Sequence, residues 1–313
     1  AGILWQLYRF SKKEQLKEAA KKWTAFQTKE QFDAGTHDLG FKIYCSFGEG
    51  YELTKSQSYS KVIVNTANQL AQRFNEKVGA TRSWDFNAQK WDFPVIIDNM
   101  MNLELLFEAA KLSEDEGLYD MANQHAQTTL KNHFRPDNSS FHVVDYDQTT
   151  GAVRSKVTHQ GHSDDSAWAR GQAWGLYGYT MAYRFTKNPD YLAQAKKIAQ
   201  FIFTHSNLPA DKIPYWDFNA PNIPNEERDV SAAAIATSSI LELSKYDPEN
   251  KAAYLKWADT VLTALSSKEY TADTNPFFLN QSVGSKPENL EVKVPIVYAD
   301  YYYVEALLRR LTL

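Results

Sequence analysis

The sequence predicts an all-α protein, an (α/α)6 barrel with short strands and loops over one mouth. The prediction rests on two kinds of helical segment that alternate along nearly the whole chain. One kind has a single apolar stripe beside a lysine-rich face, which is typical of a helix exposed on one side. The other kind is apolar, small or aromatic nearly all round, which is typical of a helix enclosed by others.

The outer helices are predicted from the first pattern at 12–28, 57–75, 117–134, 189–206 and 248–270. The inner helices are predicted from the second pattern at 2–9, 38–47, 95–110, 166–185, 230–244 and 295–311. Because the inner helices outnumber the outer ones by one, we expect a first helix before Ala1. No fixed period recurs, which disfavours a helical solenoid.

Three segments between helices predict structure on the rim of the barrel. SWDFN at 83–87 and YWDFN at 215–219 each follow an outer helix and precede an inner one, and we expect short strands there. The stretch 141–157 alternates around a turn and predicts a β-hairpin. Loops on a rigid scaffold often carry binding groups, so we expect the site on this rim.

Composition narrows the domain organisation and the partners. The 313 residues contain no Pro-, Gly- or Ser-rich linker, so residues 1–313 are predicted to form a single domain. A net charge of −4 without a block of like charges argues against nucleic acid, and no apolar run is long enough for membrane insertion. The lone Cys45 excludes an intrachain disulfide and leaves the compartment open. The oligomeric state is unknown from sequence.

The stretch THQGHSDDSAWARGQAW at 158–174 has the composition of a binding site. A core segment would be apolar, and a surface helix would lack large aromatic residues. Arg170 and Trp174 are four residues apart on one helix face, which suits a carboxylate clamp beside a stacking surface for an acidic sugar. An internal Arg–Asp ion pair explains Arg170 equally well.

Metal, nucleotide and serine-nucleophile chemistry lack their usual signatures. His159 and His162 could ligate a metal together with Asp164 or Asp165, but no HExxH or CxxC cluster supplies further ligands, so we predict no metal. The sequence has no GxSxG, P-loop or GxGxxG motif. Acid–base chemistry by carboxylates remains, without a cofactor.

Two aspartates are candidates for that chemistry because each lies near the start of an enclosed helix. Asp38 follows His37 in GTHDLGF, and Asp98 lies among apolar residues in PVIIDNMMNLELL. Burial raises the pKa of a carboxyl toward the range of a general acid, and we expect this for Asp98. Either aspartate could instead be a helix N-terminal charge or a core hydrogen-bond acceptor.

A further candidate segment is QSVGSKP at 281–287. Ser282, Ser285 and Lys286 offer two hydroxyls and a cation near Gly284, which we expect to form a turn. This composition suits an anion such as a sulfate on a second sugar. An ordinary polar loop before the last helix is the alternative.

Motifs along the whole chain resemble those of the unsaturated glucuronyl hydrolases, glycoside hydrolase family 88. They are HDLGF at 37–41, IIDNMMNLELL at 96–106, SSFH at 139–142, THQG at 158–161, SAWARGQAWGLYGY at 166–179, YWDF at 215–218 and ADYYYVEALLR at 299–309. The resemblance implies an (α/α)6-barrel catalytic domain without metal or organic cofactor. It implies a bacterial enzyme, of the cytoplasm or the periplasm, that removes the unsaturated uronic acid which polysaccharide lyases leave on an oligosaccharide.

The resemblance also implies roles for individual residues. Asp98 matches the general acid and base, and Asp38 matches the second essential carboxylate. The residues at matching ring-binding or pocket-lining positions are His142, Gln160, Trp168, Arg170, Trp174, His37 and Trp84. An aromatic-rich turn that precedes the family's second helix has no counterpart in this sequence, so no stacking residue is named from it.

The chemistry of a 4,5-unsaturated uronide fits an acid–base site. Its vinyl ether is protonated at C4, water captures the oxocarbenium-like centre at C5, and the resulting hemiketal opens and releases the sugar. This route differs from ordinary glycosidases, which need an acid at the leaving oxygen and a second carboxylate. Two alternatives stay open: an unsaturated rhamnogalacturonyl hydrolase, although RGQAW at 170–174 favours the glucuronyl type, and a non-catalytic carbohydrate-binding toroid.

Overall fold

The computed structural model describes residues 1–273 and 276–313. These residues form two compact units, Ala1–Asn132 with Val144–Ser155 and His133–Val143 with Lys156–Leu313. That residues 1–313 make a single catalytic domain stays a prediction. In the two described ranges no helix is both long enough and apolar enough to cross a membrane.

The first unit is mainly helical. Its helices are α1 (Gly2–Ser11), α2 (Glu14–Phe26), a 3-10 helix (Thr28–Phe32), a π-helix (Gly40–Gly48) that runs into α3 (Glu49–Thr54), α4 (Gln57–Ala71), a 3-10 helix (Ile97–Asn102) that runs into α5 (Leu103–Ser113), and α6 (Glu116–Asn132). Its strands are β1 (Phe74–Asn75), β2 (Ala80–Thr81), β3 (Phe93–Ile96) and residues 144–146 and 153–155 of β4 (Val143–Tyr146) and β5 (Val153–Val157). β1 pairs with β2, and the other three strands form one sheet in chain order.

The second unit contains the remaining helices and a two-stranded sheet. The elements are α7 (Ala169–Thr186), α8 (Pro189–Thr204), α9 (Val230–Leu243), α10 (Lys251–Leu265), β6 (Ser282–Ser285), β7 (Leu290–Val294) and α11 (Val297–Leu311). All residues of α9 are buried, whereas α8 buries one stripe. The α8 helix starts with Asn188, whose side chain accepts from the N–H of Asp190, and with Pro189 in its first turn, a common start signal.

The predicted helices are confirmed, with one difference at 95–110. That segment begins as β3 and a 3-10 helix before α5 starts at Leu103. Pro94 and the run Val95, Ile96 and Ile97 explain the difference, because proline and β-branched residues favour extended backbone. The β-hairpin predicted at 141–157 is confirmed by β4 and β5.

The strands predicted at 83–87 and 215–219 are wrong. The first stretch has no strand, and the second forms only isolated bridges, at Tyr215 with Arg228 and at Asp217 with Trp168. The Asp217 side chain accepts backbone and hydroxyl hydrogen bonds, which competes with a regular ladder. Gly284 lies in β6 and not in the predicted turn, and a Cβ there would meet the Glu291 carboxylate at 2.5 Å.

A buried charge cluster joins three helices of the second unit. Glu242 on α9 lies 2.9 Å from Arg184 Nε on α7 and 3.0 Å from Arg309 on α11. Burial alone would raise the pKa of Glu242, but the two guanidinium groups outweigh it and hold this pKa below its usual value. The carboxylate therefore stabilises the folded state at neutral pH.

We predict that Glu242→Gln lowers the free energy of unfolding by about 3 kcal/mol, because it removes the carboxylate that Arg184 pairs with and leaves Arg309 to the more distant carboxylate of Glu305 at 3.5 Å. Urea denaturation at pH 7 measures the loss. The matched control is Asp259→Asn, which removes the partner of the neighbouring Arg310 at the surface, where side chains are 50% and 36% exposed. We expect a loss of about 1 kcal/mol or less there.

The pH dependence gives a second measurement of the same group. Because the folded pKa of Glu242 is lowered, its stabilisation is present above the unfolded pKa of about 4.3 and is lost as the pH falls through the folded pKa. The wild-type protein should therefore lose more stability on acidification than Glu242→Gln. Equal losses at pH 7 for Glu242→Gln and Asp259→Asn would contradict the prediction.

Candidate active site

Asp38 lies at the start of the helix that continues as the π-helix. Helical backbone begins at Leu39, and the Asp38 carbonyl accepts the N–H of Lys42 at 2.9 Å, so Asp38 immediately precedes the first helical residue. Its carboxylate oxygen Oδ1 lies 3.1 Å from Nε2 of His37, and 44% of its side chain is exposed. Burial lowers the pKa of His37 although Asp38 opposes this, so the imidazole is neutral at pH 7.

Asp98 lies in the first turn of the 3-10 helix Ile97–Asn102 and is half-buried, with its Oδ2 atom inside the protein. The next residue, Asn99, is fully buried and holds this helix in place. Its amide donates to the carbonyl of Thr81 at 2.8 Å and accepts from the hydroxyl of Ser83 at 3.0 Å. The Asp98 backbone is therefore fixed by hydrogen bonds on the protein side.

Asn102 connects the Asp98 segment to the Asp38 segment. Its Oδ1 atom accepts the N–H groups of Gly40 at 2.8 Å and Phe41 at 3.3 Å. A Cβ on Gly40 would lie 2.6 Å from Oδ1 and 2.7 Å from Cα of Asn102, so only glycine fits. The two aspartate-bearing segments are thus in direct contact within the first unit.

Trp84 belongs to an aromatic cluster on the loop after β2. Its ring stacks on Phe86 at 5.0 Å with an interplanar angle of 17° and meets Trp91 edge-on at 5.8 Å. Phe86 is 53% exposed, so part of the stack faces solvent. Arg73 holds the loop, because it donates to the carbonyl of Arg82 and pairs with a neighbour of Trp84, Asp85, at 2.9 Å.

In the second unit, His142 is held in one tautomer. Its Nδ1 atom accepts the N–H groups of His159 and Gln160, both at 3.1 Å. Because Nδ1 accepts, the ring proton is on Nε2, which makes Nε2 the hydrogen-bond donor of this ring. The ring of Trp168 lies 4.6 Å from the His142 ring, so both are fixed against the loop that carries Gln160.

The carbonyl of Gly284 in β6 is a shared hydrogen-bond acceptor for two predicted ring-binding residues, Gln160 and Arg170. It accepts from the Gln160 side chain at 3.1 Å and from Arg170 at 2.6 Å. Arg170 also donates to the carbonyl of Val283 and pairs with the buried Asp229 at 3.2 Å. This is the internal Arg–Asp pair that the sequence left open beside a carboxylate clamp. A role of Arg170 in ring binding stays a prediction.

Asp217 fixes the loop that precedes α7. It is fully buried, and its Oδ2 atom accepts from the His162 N–H at 2.9 Å and the Ser166 hydroxyl at 2.7 Å. Its Oδ1 atom accepts the N–H of Asn219 at 2.8 Å. The loop conformation that presents Gln160 therefore depends on a carboxylate more than 50 residues later in the chain.

The remaining predicted residues have mixed environments. Trp174 is buried against Tyr302 of α11, with ring centroids 5.5 Å apart. The Ser282 and Ser285 hydroxyls are buried on β6, and neither has a hydrogen-bond partner in the described ranges 1–273 and 276–313. Lys286 forms an ion pair with Glu227, and this pair outweighs burial and lowers the pKa of Glu227.

Comparison with known proteins places the chain in a family. Residues 1–306 match the model of Glycosyl Hydrolase Family 88. The chain belongs to this family. A curated unsaturated glucuronyl hydrolase of Formosa agariphila is 52% identical over 313 residues, which cover 99% of this chain and 78% of that protein. An unsaturated chondroitin disaccharide hydrolase of Streptococcus pyogenes serotype M1 is 34% identical over 317 residues, or 98% of this chain and 79% of that protein.

The fold agrees with this family 88 assignment. A crystal structure of an unsaturated glucuronyl hydrolase specific for heparin matches with a TM-score of 0.96 and 48% identity, over 99% of this chain and 84% of that one. The predicted fold class, an all-α (α/α)6 barrel, is thereby confirmed. Membership in family 88, together with the shared fold, makes this protein a glycoside hydrolase.

Sequence reasoning missed four supporting residues of this family 88 enzyme. Gly40, Asn102 and Asp217 lie inside the motifs HDLGF, IIDNMMNLELL and YWDF but have no chemistry of their own that singles them out. Asp229 directly precedes the enclosed segment 230–244, and an aspartate in that position is a recognisable helix N-cap signal. Its side chain does accept the Ser231 N–H at 3.0 Å. Its second role, as the partner of a distant arginine, has no local signal.

We predict that Arg170→Lys weakens β6 and lowers kcat/KM, because one ammonium group cannot reach two carbonyls and Asp229 together. The free energy of unfolding should fall by about 1–3 kcal/mol. Hydrogen exchange at residues 282–285 should become faster.

The matched control for this prediction is Arg228→Lys. Arg228 also bridges a carboxylate and a carbonyl, those of Asp211 and Ile213, and neither of these is a predicted site residue. We expect this control to lose stability without a change in kcat/KM. Unchanged exchange in β6 of Arg170→Lys would refute the anchoring role.

Proposed function

We propose that the protein is an unsaturated glucuronyl hydrolase, which removes a 4,5-unsaturated uronic acid from the non-reducing end of lyase-generated oligosaccharides. The observation that carries the proposal is the direct contact, through Asn102, of the two segments that bear Asp38 and Asp98. It occurs in a family 88 chain that is 52% identical to an enzyme of this name. No cofactor takes part in the proposed reaction.

Asp98 is proposed to deliver the proton to C4 of the vinyl ether and then to activate the water that attacks C5. Its half-buried position suits this role, because one oxygen faces the protein and the side chain keeps partial access to solvent. Proton addition at C4 and hydroxide addition at C5 together give a hemiketal. The hemiketal opens to a ketone at C5 and leaves a hemiacetal at C1, which collapses to an aldehyde and releases the next sugar with a free hydroxyl.

Asp38 is proposed as the second carboxylate, which holds ring hydroxyls and stabilises the positive charge that develops at C5. Its exposure leaves one face of the carboxylate open to a ligand. The neighbouring imidazole of His37 is kept neutral by burial, so it does not cancel the charge of Asp38. The stack of Trp84 on Phe86 supplies an aromatic surface suited to a sugar ring.

In the second unit, we propose that His142, Gln160, Trp168 and Trp174 hold the unsaturated ring. Arg170 supports them through β6, since Gln160 and Arg170 share the Gly284 carbonyl. Ser282, Ser285 and Lys286 are proposed to select a sulfated second sugar. The two buried hydroxyls and the adjacent cation supply donors for an anion once Lys286 leaves Glu227.

Two alternative functions can be distinguished from the proposed hydrolase by experiment. An unsaturated rhamnogalacturonyl hydrolase would prefer pectin-derived disaccharides to glycosaminoglycan-derived ones. A carbohydrate-binding toroid would bind without chemistry, so the ultraviolet absorbance of the conjugated uronide would persist after mixing. A screen of unsaturated chondroitin, hyaluronan, heparin and gellan fragments identifies the parent polysaccharide.

We predict that Asp98→Asn lowers kcat by about 10²–10⁴-fold while the fold and substrate affinity remain, because asparagine keeps the shape but cannot transfer a proton. Loss of uronide absorbance measures kcat, and calorimetric titration measures affinity. Asp92→Asn is the control, since Asp92 binds Gln148 on the same unit. More than about a tenth of wild-type kcat in folded Asp98→Asn is incompatible with the role.

We predict that Lys286→Ala lowers kcat/KM about tenfold for sulfated disaccharides and leaves unsulfated ones nearly unchanged, a difference of about 1.4 kcal/mol. The ratio of the two rates is the measurement. Lys293→Ala on the neighbouring strand β7 removes an exposed cation of the same sheet and is the control. An unchanged ratio in Lys286→Ala would remove the sulfate proposal and leave the hydrolase proposal standing.

A further inference from the structure

The helix that carries Asp38 is capped by a residue far away in the sequence. Asp38 immediately precedes Leu39, the first helical residue, and an aspartate in that place ordinarily accepts the N–H of the second or third helical residue with its own carboxylate. In this helix those residues are Gly40 and Phe41. Both N–H groups donate instead to Asn102, at 2.8 and 3.3 Å.

Asn102 is built into this position. It is 1% exposed and ends the 3-10 helix that begins beside Asp98. The missing side chain of Gly40 admits it, since a Cβ would lie 2.7 Å from the Asn102 backbone. The amide oxygen therefore occupies the acceptor position that the Asp38 carboxylate would otherwise take.

The Asp38 carboxylate is free of the capping role as a result. Its Oδ1 atom lies 3.1 Å from Nε2 of the neutral His37 ring, and nearly half of its side chain is exposed. Backbone N–H bonds to a carboxylate favour its anion, lower its pKa and direct its oxygens toward the helix. A carboxylate used in that way would be turned from the solvent side.

We infer that Asn102 is a positioning residue that keeps the Asp38 carboxylate available for the reaction by capping its helix in its place. The inference rests on the proposed function, because it takes Asp38 as one of the two carboxylates of the hydrolase. The neutrality of Asn102 matters as well as its shape. A carboxylate at position 102 would cap the same N–H groups but would repel the charge of Asp38.

The test compares two substitutions with opposite expected effects on the pKa of Asp38, measured by NMR on protein with 13C-labelled aspartate. In Asn102→Ala the carboxylate turns to the vacant N–H groups, so the pKa of Asp38 falls. In Asn102→Asp the cap is retained and a like charge is added, so the pKa of Asp38 rises. A residue that only fills the core would not produce shifts of opposite sign.

Kinetics supply the second readout. Asn102→Ala should lower kcat about 10²-fold with a much smaller change in KM, because Asp38 is misplaced and the binding residues are intact. The matched control is Asn99→Ala, which removes a buried amide of the same 3-10 helix whose hydrogen bonds go to Ser83 and Thr81. It should lower the melting temperature and leave the pKa of Asp38 unchanged.

The outcomes are distinguishable from those of the proposed function. The NMR measurement needs no substrate, so it tests the cap even if the wild-type protein hydrolyses no unsaturated uronide. An unchanged pKa of Asp38 in both variants overturns the inference, as does full kcat in folded Asn102→Ala. If Asn102→Ala does not fold, Asn102→Asp decides: an upward shift supports the inference and no shift overturns it.

Discussion

Backbone N–H groups that lie outside a helix or a strand ladder must still find acceptors when they are buried. In this protein buried side chains from distant parts of the sequence supply them repeatedly. Each accepts two or more hydrogen bonds, at least one of them from a buried or half-buried backbone N–H group. These side chains are Asn102, Asp145, Asp217, Asp229 and Asp300.

These acceptors fix the loops in which the candidate site residues lie. Asp217 holds the loop of Gln160, and Asp229 holds both the start of α9 and the guanidinium of Arg170. The balance between the cost of burying the carboxylate and the hydrogen bonds that it accepts differs among these residues. For Asp145 and Asp300 burial dominates and raises the pKa, although N–H bonds and, at Asp145, the nearby Arg154 oppose it. Such carboxylates order the structure at the expense of some stability, which suits loops that must keep one conformation.

The sequence predicts the helical architecture because helical periodicity is a local signal. The apolar all-round pattern of 230–244 and the one-sided pattern of 189–206 each depend on neighbours within two turns, and α9 and α8 follow them. The aspartates Asp38 and Asp98 were also recognisable, since an acid near the start of an enclosed, apolar helix is costly to bury. The family resemblance then related them to a reaction.

The contacts that organise the site were not predictable in the same way. Asn102 and Gly40 are 62 residues apart, and Arg170 and Gly284 are 114 apart, so no periodic pattern links them. Arg170 could be a clamp for a substrate carboxylate or a partner in an internal ion pair, and the difference depends on whether an acid such as Asp229 lies nearby in the folded protein. The strand at Gly284 was missed because a glycine followed by a serine is typical of a turn, whereas pairing with β7 decides the conformation.

The clearance at Gly40 has a consequence for how sequences of this family diverge. Position 40 accepts only hydrogen as a side chain while position 102 holds its amide against it. Position 102 in turn needs a neutral acceptor while residue 38 is an acid. Positions 38, 40 and 102 are therefore expected to change together in evolution. A homologue that keeps both aspartates but has alanine at the position of Gly40 has lost the capping of the Asp38 helix by the residue at position 102.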